Sequence, residues 1–246
     1  MSLPAIIFKT SSTTTLTEKP LPCLISANGA FVTILSRNSN WDTALPLLTH
    51  WHKKPCEKDI KKEFLLKTGL CYEKEDGSLR DRFWGRVIFP WFNISGKVLG
   101  FGGRVLDSRT KGVNQKYVNS PESEIFSKRK ELYGIYQAKA AIVKADCVYM
   151  VEGYTDVIAM HQCGLENVVA NSGTALSEQQ IRLLHRFTSN ITLLYDGDEA
   201  GIKASIRGID MLLAEGMNIK VLLLPDGDDP DSFSRKHKCH GIQKIH

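Results

Sequence analysis

Several features of zinc-ribbon, secreted and membrane-spanning proteins are missing from this chain of 246 residues. No two of its six cysteines form a Cys-x-x-Cys pair, so we expect no zinc site. No run of about 18 apolar residues occurs, which argues against a membrane-spanning helix. The N-terminus has Lys9 and then a Ser/Thr run where a secretion signal would have an apolar core. We therefore predict a cytoplasmic protein whose thiols are reduced and which has no membrane partner.

Charge is scarce at the start of the chain and changes sign further along it. Residues 1–56 carry five Lys and Arg and two Asp and Glu, and residues 57–146 carry a net charge of +6. Residues 147–231 carry a net charge of −8, and residues 232–246 have four basic and no acidic residues. A basic segment before an acidic one suggests that the first holds a polyanion and the second holds cations. Composition alone equally fits a solvated surface.

Residues 1–56 differ in composition from the rest of the chain. Fourteen of them are Ser or Thr, and apart from a short apolar stretch near Phe31 they have no clear helical or strand period. Two interpretations stay open: a disordered segment, or a foreign sequence fused to the rest. On either interpretation we expect this segment to add little to the fold.

From Arg86 onward the pattern predicts regular structure. Residues 86–90 and 97–104 are apolar enough for two strands, and the Asn and Gly of 93–96 are typical of a turn between them, which together predict a hairpin. The Ala-rich residues 132–143 predict a helix.

After Asp146, predicted strands and helices alternate. The strands are predicted at 148–151, 167–170, 191–195 and 219–224. The helices are predicted at 156–163, at 177–187 with Ser177 as the N-cap, and at 200–215. Strands separated by helices of these lengths predict a mostly parallel, doubly wound α/β sheet.

Acidic residues follow three of these predicted strands. Glu152 follows the first strand, Asp196 and Asp198 follow the third, and the Asp-rich residues 226–231 follow the fourth. Carboxyl ends of parallel strands meet at one edge of a sheet, where ligands bind. Crowded carboxylates repel one another unless a cation neutralises them, and Mg²⁺ or Mn²⁺ prefers oxygen ligands. His161 and His185, in contrast, have no ligand partner at metal-binding spacing, so we interpret both as structural.

The glutamate after the first strand and the Asp-x-Asp after the third resemble the Toprim domain of bacterial primases, topoisomerases and some nucleases. The resemblance implies that Glu152, Asp196 and Asp198 form the catalytic and metal-binding set. The primase version adds an acidic pair that Asp229 and Asp231 match, for two or more Mg²⁺ or Mn²⁺ ions. Asp226 and Asp228 are then turn residues.

The preceding segment resembles the basic N-terminal subdomain of the catalytic core of bacterial DnaG-type primases. The similar blocks occur in the same order, and they are Arg82-Phe-Trp-Gly-Arg-Val-Ile-Phe-Pro90, Phe101-Gly-Gly-Arg104, Lys116-Tyr-Val-Asn-Ser-Pro-Glu122, Ile125-Phe-Ser-Lys128 and Leu132-Tyr-Gly134. With the Toprim motifs, the resemblance covers roughly residues 62–237. It implies a Rossmann-like Toprim domain, a mostly parallel sheet flanked by helices over 147–231, preceded by a small mixed α+β basic subdomain over 57–146.

A template strand needs cations along a groove that follows its backbone. The candidate residues for binding template or nucleotide are Arg82, Arg86, Arg104, Lys116 and Lys128. By resemblance, the positions of Arg104, Lys116 and Lys128 are tied to template or nucleotide binding. Tyr117 and Phe126 could stack on bases, but we expect both to lie in the core.

The function that the resemblance implies is synthesis of short RNA primers from NTPs on single-stranded DNA. A full primase also has a zinc-binding domain and a domain that binds the replicative helicase, and neither is visible here. A frame change or a truncated gene copy would explain residues 1–56 and the tail 232–246. Two other functions stay open: an inactive remnant that only binds single-stranded DNA, and another Toprim phosphoryl-transfer enzyme such as a nuclease.

Overall fold

A computed structural model of the chain describes five stretches of it. These are residues 62–83, 86–105, 115–173, 176–195 and 208–223. The segments 1–56 and 232–246, for which disorder or a frame change was predicted, lie outside the described residues.

The described residues divide into two units. The first, which we call unit 1, contains the described residues of 62–91 and 97–127. The second, unit 2, contains residues 92–96 and the described residues from 128 onward. The predicted subdomain boundary at residue 146 stays a prediction.

Unit 1 is built on short antiparallel strands. Helix α1 (Lys62–Lys67) precedes a pair of three-residue strands, β1 (Cys71–Glu73) and β2 (Leu79–Asp81). A second sheet has the order β3 (Arg86–Phe92), β4 (Val98–Val105) and β5 (Tyr117–Asn119). The predicted hairpin strands are thus confirmed as β3 and β4, whereas α1, β1, β2 and β5 were not predicted.

The core of unit 1 is aromatic and tightly packed. Trp91 and Phe126 are buried and meet edge to face, with their ring centroids 5.3 Å apart. Gly103 of β4 gives Phe83 and Arg86 room, because a Cβ there would lie 2.9 Å from a ring carbon of Phe83 and 3.0 Å from Cδ of Arg86. Any side chain at residue 103 would therefore displace both neighbours.

Unit 2 is a four-stranded parallel sheet with helices between the strands. In chain order its elements are α2 (Ile135–Ala145), β6 (Val148–Val151), α3 (Tyr154–Gln162), β7 (Val168–Ala170), α4 (Glu178–His185), β8 (Asn190–Tyr195), a helical stretch at 208–214 (α5) and β9 (Asn218–Leu223). The strand order is β7-β6-β8-β9, and every pair is parallel. The predicted parallel α/β sheet is confirmed.

Two helices of unit 2 begin at different residues from those predicted. Helix α2 begins at Ile135, because Tyr133 pairs with Ala170 at the end of β7 and Gly134 then turns the chain with a φ of 87°. Helix α3 begins at Tyr154, because the carboxylate of Asp156 accepts a hydrogen bond from the backbone N of the preceding Gly153 at 2.8 Å. This carboxylate bond at the first turn satisfies a backbone donor that the helix leaves open.

The helix predicted at 177–187 is confirmed over most of its length, and the helix predicted at 200–215 is confirmed where the structure describes it. Ser177 caps α4 as predicted, with Gln180 as its capping-box partner, although α4 ends at His185. Of the helix predicted at 200–215, the stretch 208–214 is described and helical, and Gly216 follows it with a φ of 75°. Within the described ranges, no helix is both long and apolar enough to cross a membrane.

Candidate active site

The carboxyl-terminal edge of the unit 2 sheet carries the first of the predicted metal ligands. Strand β6 ends at Val151, and Glu152 follows it directly with an exposed side chain. Strand β8 is parallel to β6 and ends at Tyr195, so the chain leaves β8 at the same edge. Asp196 is the next residue along the chain.

The other four predicted metal ligands, Asp196, Asp198, Asp229 and Asp231, lie outside the described residues. Over the residues that the structure describes, no three His, Cys, Asp or Glu side chains lie together as a metal-binding group. The predicted set therefore stays a prediction, with Glu152 placed at the sheet edge where we expected it.

Ser172 joins Glu152 to Lys128 through its backbone. Its N–H donates to the carbonyl of Glu152 at 3.0 Å, and its carbonyl accepts from Nζ of Lys128 at 3.3 Å. Ser172 lies two residues beyond the end of β7, which is next to β6 in the sheet. The Lys128 ammonium, predicted to bind template or nucleotide, is thus held at the same edge as Glu152.

A segment that we call the strap, residues 128–134, fixes Lys128 in this place. Buried Gln180 donates through Nε2 to the carbonyls of Lys128 at 2.8 Å and Glu131 at 2.9 Å. At the far end of the strap, Tyr133 and Ala170 exchange two backbone hydrogen bonds of 2.9 and 3.0 Å. The strap is therefore attached to both α4 and β7, although no sequence pattern had predicted it.

Burial shifts the pKa values of two titrating groups of unit 2 in opposite directions. Burial raises the pKa of the Glu131 carboxyl to about 7, although Lys130 acts against the shift. Burial lowers the pKa of His161 on α3 to about 4, which leaves the ring neutral at neutral pH. His185 lies at the end of α4, where its ring contacts the hydroxyl of Ser189 at 3.1 Å. The structural role predicted for both histidines stays a prediction.

Two of the predicted cations of unit 1 are bonded to backbone carbonyls. Arg82 donates through Nε to the carbonyl of Gly69 at 2.8 Å. Arg86 is 5% exposed and donates to the carbonyls of Gln115 and Lys116 at 2.8 and 3.2 Å, just before β5. Its burial lowers the pKa of the guanidinium from the ordinary value. The Arg86 guanidinium is thus hydrogen-bonded to the two residues that directly precede β5.

The other two cations of unit 1 lie at the surface of β4 and β5. Arg104 and Tyr117 are register partners, and the guanidinium carbon lies 5.4 Å from the centre of the Tyr117 ring. Lys116 is exposed beside them. Tyr117 is 39% exposed, so the predicted core role is wrong for it, whereas Phe126 is buried as predicted. Tyr117 is the first residue of β5, a three-residue strand in which no side chain is fully buried.

Comparison with known families accounts for most of the chain. Residues 44–139 match the family model for the DNA primase catalytic core, N-terminal domain, and residues 149–234 match the model of Toprim-like domains. The first match begins upstream of residue 57, where the basic subdomain was predicted to start.

Curated relatives and solved structures agree with these matches. The DNA primase of Clostridium acetobutylicum is 47% identical over 181 residues, 74% of this chain and 29% of the relative. The DNA primase of Halalkalibacterium halodurans is 41% identical over 206 residues, which cover 83% of this chain and 33% of the relative. A DNA primase domain from Pseudomonas aeruginosa superposes with a TM-score of 0.68 at 41% identity, over 74% of this chain and 57% of that one.

The structure of a DnaG primase catalytic domain bound to single-stranded DNA resembles this chain about as closely as the Pseudomonas aeruginosa domain does. Its TM-score is 0.68 at 38% identity, and the match covers 74% of this chain and 58% of that one. The chain spans about a third of the length of the curated relatives it matches. Toprim primases as a group depend on metal ions.

Proposed function

The chain belongs to the family of bacterial DnaG-type DNA primases, and from that premise we propose that it carries a core that joins ribonucleotides into a short RNA primer on single-stranded DNA. One observation carries the proposal. In unit 2 the Glu152 carboxylate and the Lys128 ammonium lie at the sheet edge at which β8 ends, and Asp196 is the next residue in the sequence after β8. A carboxylate for cations and an ammonium for phosphate are the groups that nucleotidyl transfer needs.

The donor chemistry at this edge fits divalent cations. Carboxylate oxygens are hard ligands, which Mg²⁺ and Mn²⁺ prefer over nitrogen or sulfur. Glu152, Asp196, Asp198 and the pair Asp229 and Asp231 would hold two or more such ions. When bound, the ions supply charge neutralisation on the nucleotide triphosphate.

The protein's own residues position the reactants. In the proposed reaction the 3′-oxygen of the primer forms a bond to the α-phosphorus of an NTP, and pyrophosphate leaves. Lys128, held by the strap, offsets negative charge on the triphosphate. Correct placement of reacting groups contributes much of such catalysis, so the attachment of the strap to α4 and β7 bears directly on rate.

The template strand is the second proposed ligand, and unit 1 supplies its cations. Arg104, Lys116 and Tyr117 lie together at the surface of β4 and β5 and offer two positive charges and an aromatic face. Single-stranded DNA is bound by this combination of cations along the backbone and rings under the bases. A relative's catalytic domain has been solved bound to single-stranded DNA, which supports the proposal. Arg82 and Arg86 would act mainly by shaping this surface.

A primer-synthesis assay with NTPs, Mg²⁺ or Mn²⁺ and a single-stranded template tests the proposal. Asp198→Asn should reduce the rate by at least about 10²-fold, the scale for removal of one electrostatic catalytic group. Asp226→Asn, at an interpreted turn position, is the matched control and should leave the rate unchanged. Equal rates for the native protein and Asp198→Asn would contradict the proposed site. A native protein that binds template but makes no primer would support the inactive-remnant alternative.

A further inference from the structure

Ser172 is a buried serine at the carboxyl edge of the unit 2 sheet. It is 6% exposed, and across the described residues its hydroxyl finds no hydrogen-bond partner. A buried polar atom without a partner destabilises a fold, and native proteins retain few of them. The hydroxyl therefore calls for a partner that the described residues do not supply.

The backbone of Ser172 is also in an unusual conformation. Its φ is 55°, in the left-handed region that side chains other than glycine, asparagine and aspartate rarely adopt. Together with Asp146 it is one of two non-glycine residues with positive φ among those described. Strained residues of this kind persist mostly where a site requires their geometry.

The surroundings of Ser172 indicate what the missing partner is. Its N–H is bonded to the carbonyl of Glu152 and its carbonyl to the ammonium of Lys128, so the residue lies between the predicted metal ligand and a cation. Beside it, a Cβ added to Gly173 would meet no atom of the described residues within 4 Å, apart from those of its neighbours in the chain. The open position therefore lies at the residue next to Ser172, whose carbonyl accepts from the Lys128 ammonium.

We propose that the Ser172 hydroxyl donates a hydrogen bond to a phosphate oxygen of the incoming nucleoside triphosphate, next to the ammonium of Lys128. An ammonium and a hydroxyl are both donors without a fixed fork geometry, and together they suit the tetrahedral oxygens of a phosphate. The inference rests on the proposed function and assigns a residue to its nucleotide-binding step. It also explains why a strained backbone and an unsatisfied hydroxyl occur in the same residue.

The test compares the native chain with Ser172→Ala and Ser172→Gly by displacement of a fluorescent NTP analogue in the presence of Mg²⁺. ATP and inorganic tripolyphosphate serve as competitors. Loss of a hydrogen bond to a charged group should weaken the binding of both competitors roughly tenfold in each variant. Single-stranded DNA binding should stay the same. Because the hydroxyl has no partner among the described residues, its removal in Ser172→Ala should not lower the melting temperature, and in Ser172→Gly relief of the left-handed φ should raise it by about 2–4 °C.

Thr188→Val is the matched control, since it removes a buried hydroxyl of unit 2 that has its partner. The Thr188 hydroxyl donates to Asp146 at 2.9 Å, before β6 and therefore at the opposite end of the sheet. This variant should melt earlier and bind ATP as the native chain does. The Ser172 variants should lose affinity for ATP without losing stability, whereas Thr188→Val should lose stability without losing affinity. This difference distinguishes a ligand-binding hydroxyl from a structural one.

The outcomes distinguish the inference from the function on which it rests. A native chain that binds no nucleotide would overturn both. Native nucleotide binding with equal affinity in Ser172→Ala and Ser172→Gly would overturn the role of Ser172 alone. Weaker binding of ATP with unchanged binding of tripolyphosphate would place the contact on the ribose or base and refute the phosphate assignment. A lower melting temperature in both Ser172 variants would make the residue structural.

Discussion

Units 1 and 2 handle charged side chains in different ways. In unit 1 Arg82 and Arg86 donate to backbone carbonyls, and Arg104 lies over a tyrosine ring, so the cations hold short strands and shape a surface. In unit 2 strand β6 is buried and apolar, and Glu152 follows its last residue. A parallel sheet can therefore deliver a carboxylate without depending on it for stability, whereas unit 1 uses some of its charges as part of its structure.

The largest effect that this contrast predicts is at Glu152. Glu152→Gln keeps the shape of the side chain and removes its charge, so primer synthesis should fall by about 10²–10³-fold, as expected for loss of one electrostatic group. The melting temperature and the affinity for single-stranded DNA should change little, because the exposed side chain belongs to unit 2. Rate, melting and DNA binding measured on one preparation check all three. A variant that is as active as the native chain would remove Glu152 from the site.

The next largest effect should come from Gln180, the side chain that holds the strap. It is 0% exposed and donates to the carbonyls of Lys128 and Glu131, while its oxygen accepts from the N–H of Ser177 at 3.1 Å. Gln180→Leu leaves these groups unsatisfied, so we expect the free energy of unfolding to fall by about 2–4 kcal/mol.

Because the strap positions Lys128, Gln180→Leu should also raise the KM for NTP more than it lowers kcat at temperatures where it stays folded. Gln180→Asn, a shorter amide, should recover part of the stability. Denaturant unfolding and steady-state kinetics measure the two effects. A KM equal to the native value in a folded Gln180→Leu would show that the strap does not need Gln180 to place Lys128.

Much of unit 2 could be predicted from its sequence, since its signals are local. Apolar runs such as 148–151, turn glycines such as Gly164 and the cap at Ser177 each act within a few residues, and their alternation fixes a parallel sheet. The position of Glu152 at the sheet edge follows from the same pattern. The strap could not be predicted, because Gln180 reaches residues about 50 positions away in the chain.

Unit 1 was harder to predict because its short strands depend on contacts distant in sequence. Strand β5 has three residues, and the bonds from Arg86 just before it span 29 and 30 positions. Tyr117 was expected in the core, but it pairs with Arg104 on the short strand β5 and is exposed. Ser172 carries no sequence signal either, since its buried hydroxyl and positive φ exist only in the folded chain.

We expect a moderate effect on DNA binding when the surface cations Arg104 and Lys116 are removed, and an effect on stability when Arg86 is removed. Arg104→Ala and Lys116→Ala should each weaken binding of single-stranded DNA and flatten its log–log salt dependence by roughly 0.7 per lost phosphate contact. Arg86→Met should instead lower the melting temperature, because it removes two hydrogen bonds to carbonyls near β5. Fluorescence anisotropy across a salt series gives the slopes. Identical slopes for the native chain, Arg104→Ala and Lys116→Ala would show that these two residues do not contact phosphate.

The smallest predicted effect concerns Glu131 in the strap, whose carboxyl has a pKa raised by burial to about 7 from an ordinary value of 4.5. A raised acid pKa means that the folded chain keeps this proton at pH values where the unfolded chain has lost it. The contribution of the Glu131 carboxyl to the free energy of unfolding is therefore highest below pH 4.5 and declines as pH rises towards 7.

Glu131→Gln removes this dependence, so the variant should equal the native chain near pH 4.5 and exceed its free energy of unfolding by about 1 kcal/mol at pH 8, allowing for partial exposure to solvent. The pH dependence of stability due to His161 has the opposite sign. Its pKa is lowered to about 4, so its contribution to the free energy of unfolding is lost as pH falls from 6.5. Since His161 is present in both proteins, the difference between their unfolding curves isolates Glu131. Glu166→Gln, at an exposed residue of the same unit, is the control. A stability difference for Glu131→Gln that is the same at pH 4.5 and pH 8 would show that the buried carboxyl does not titrate as we infer.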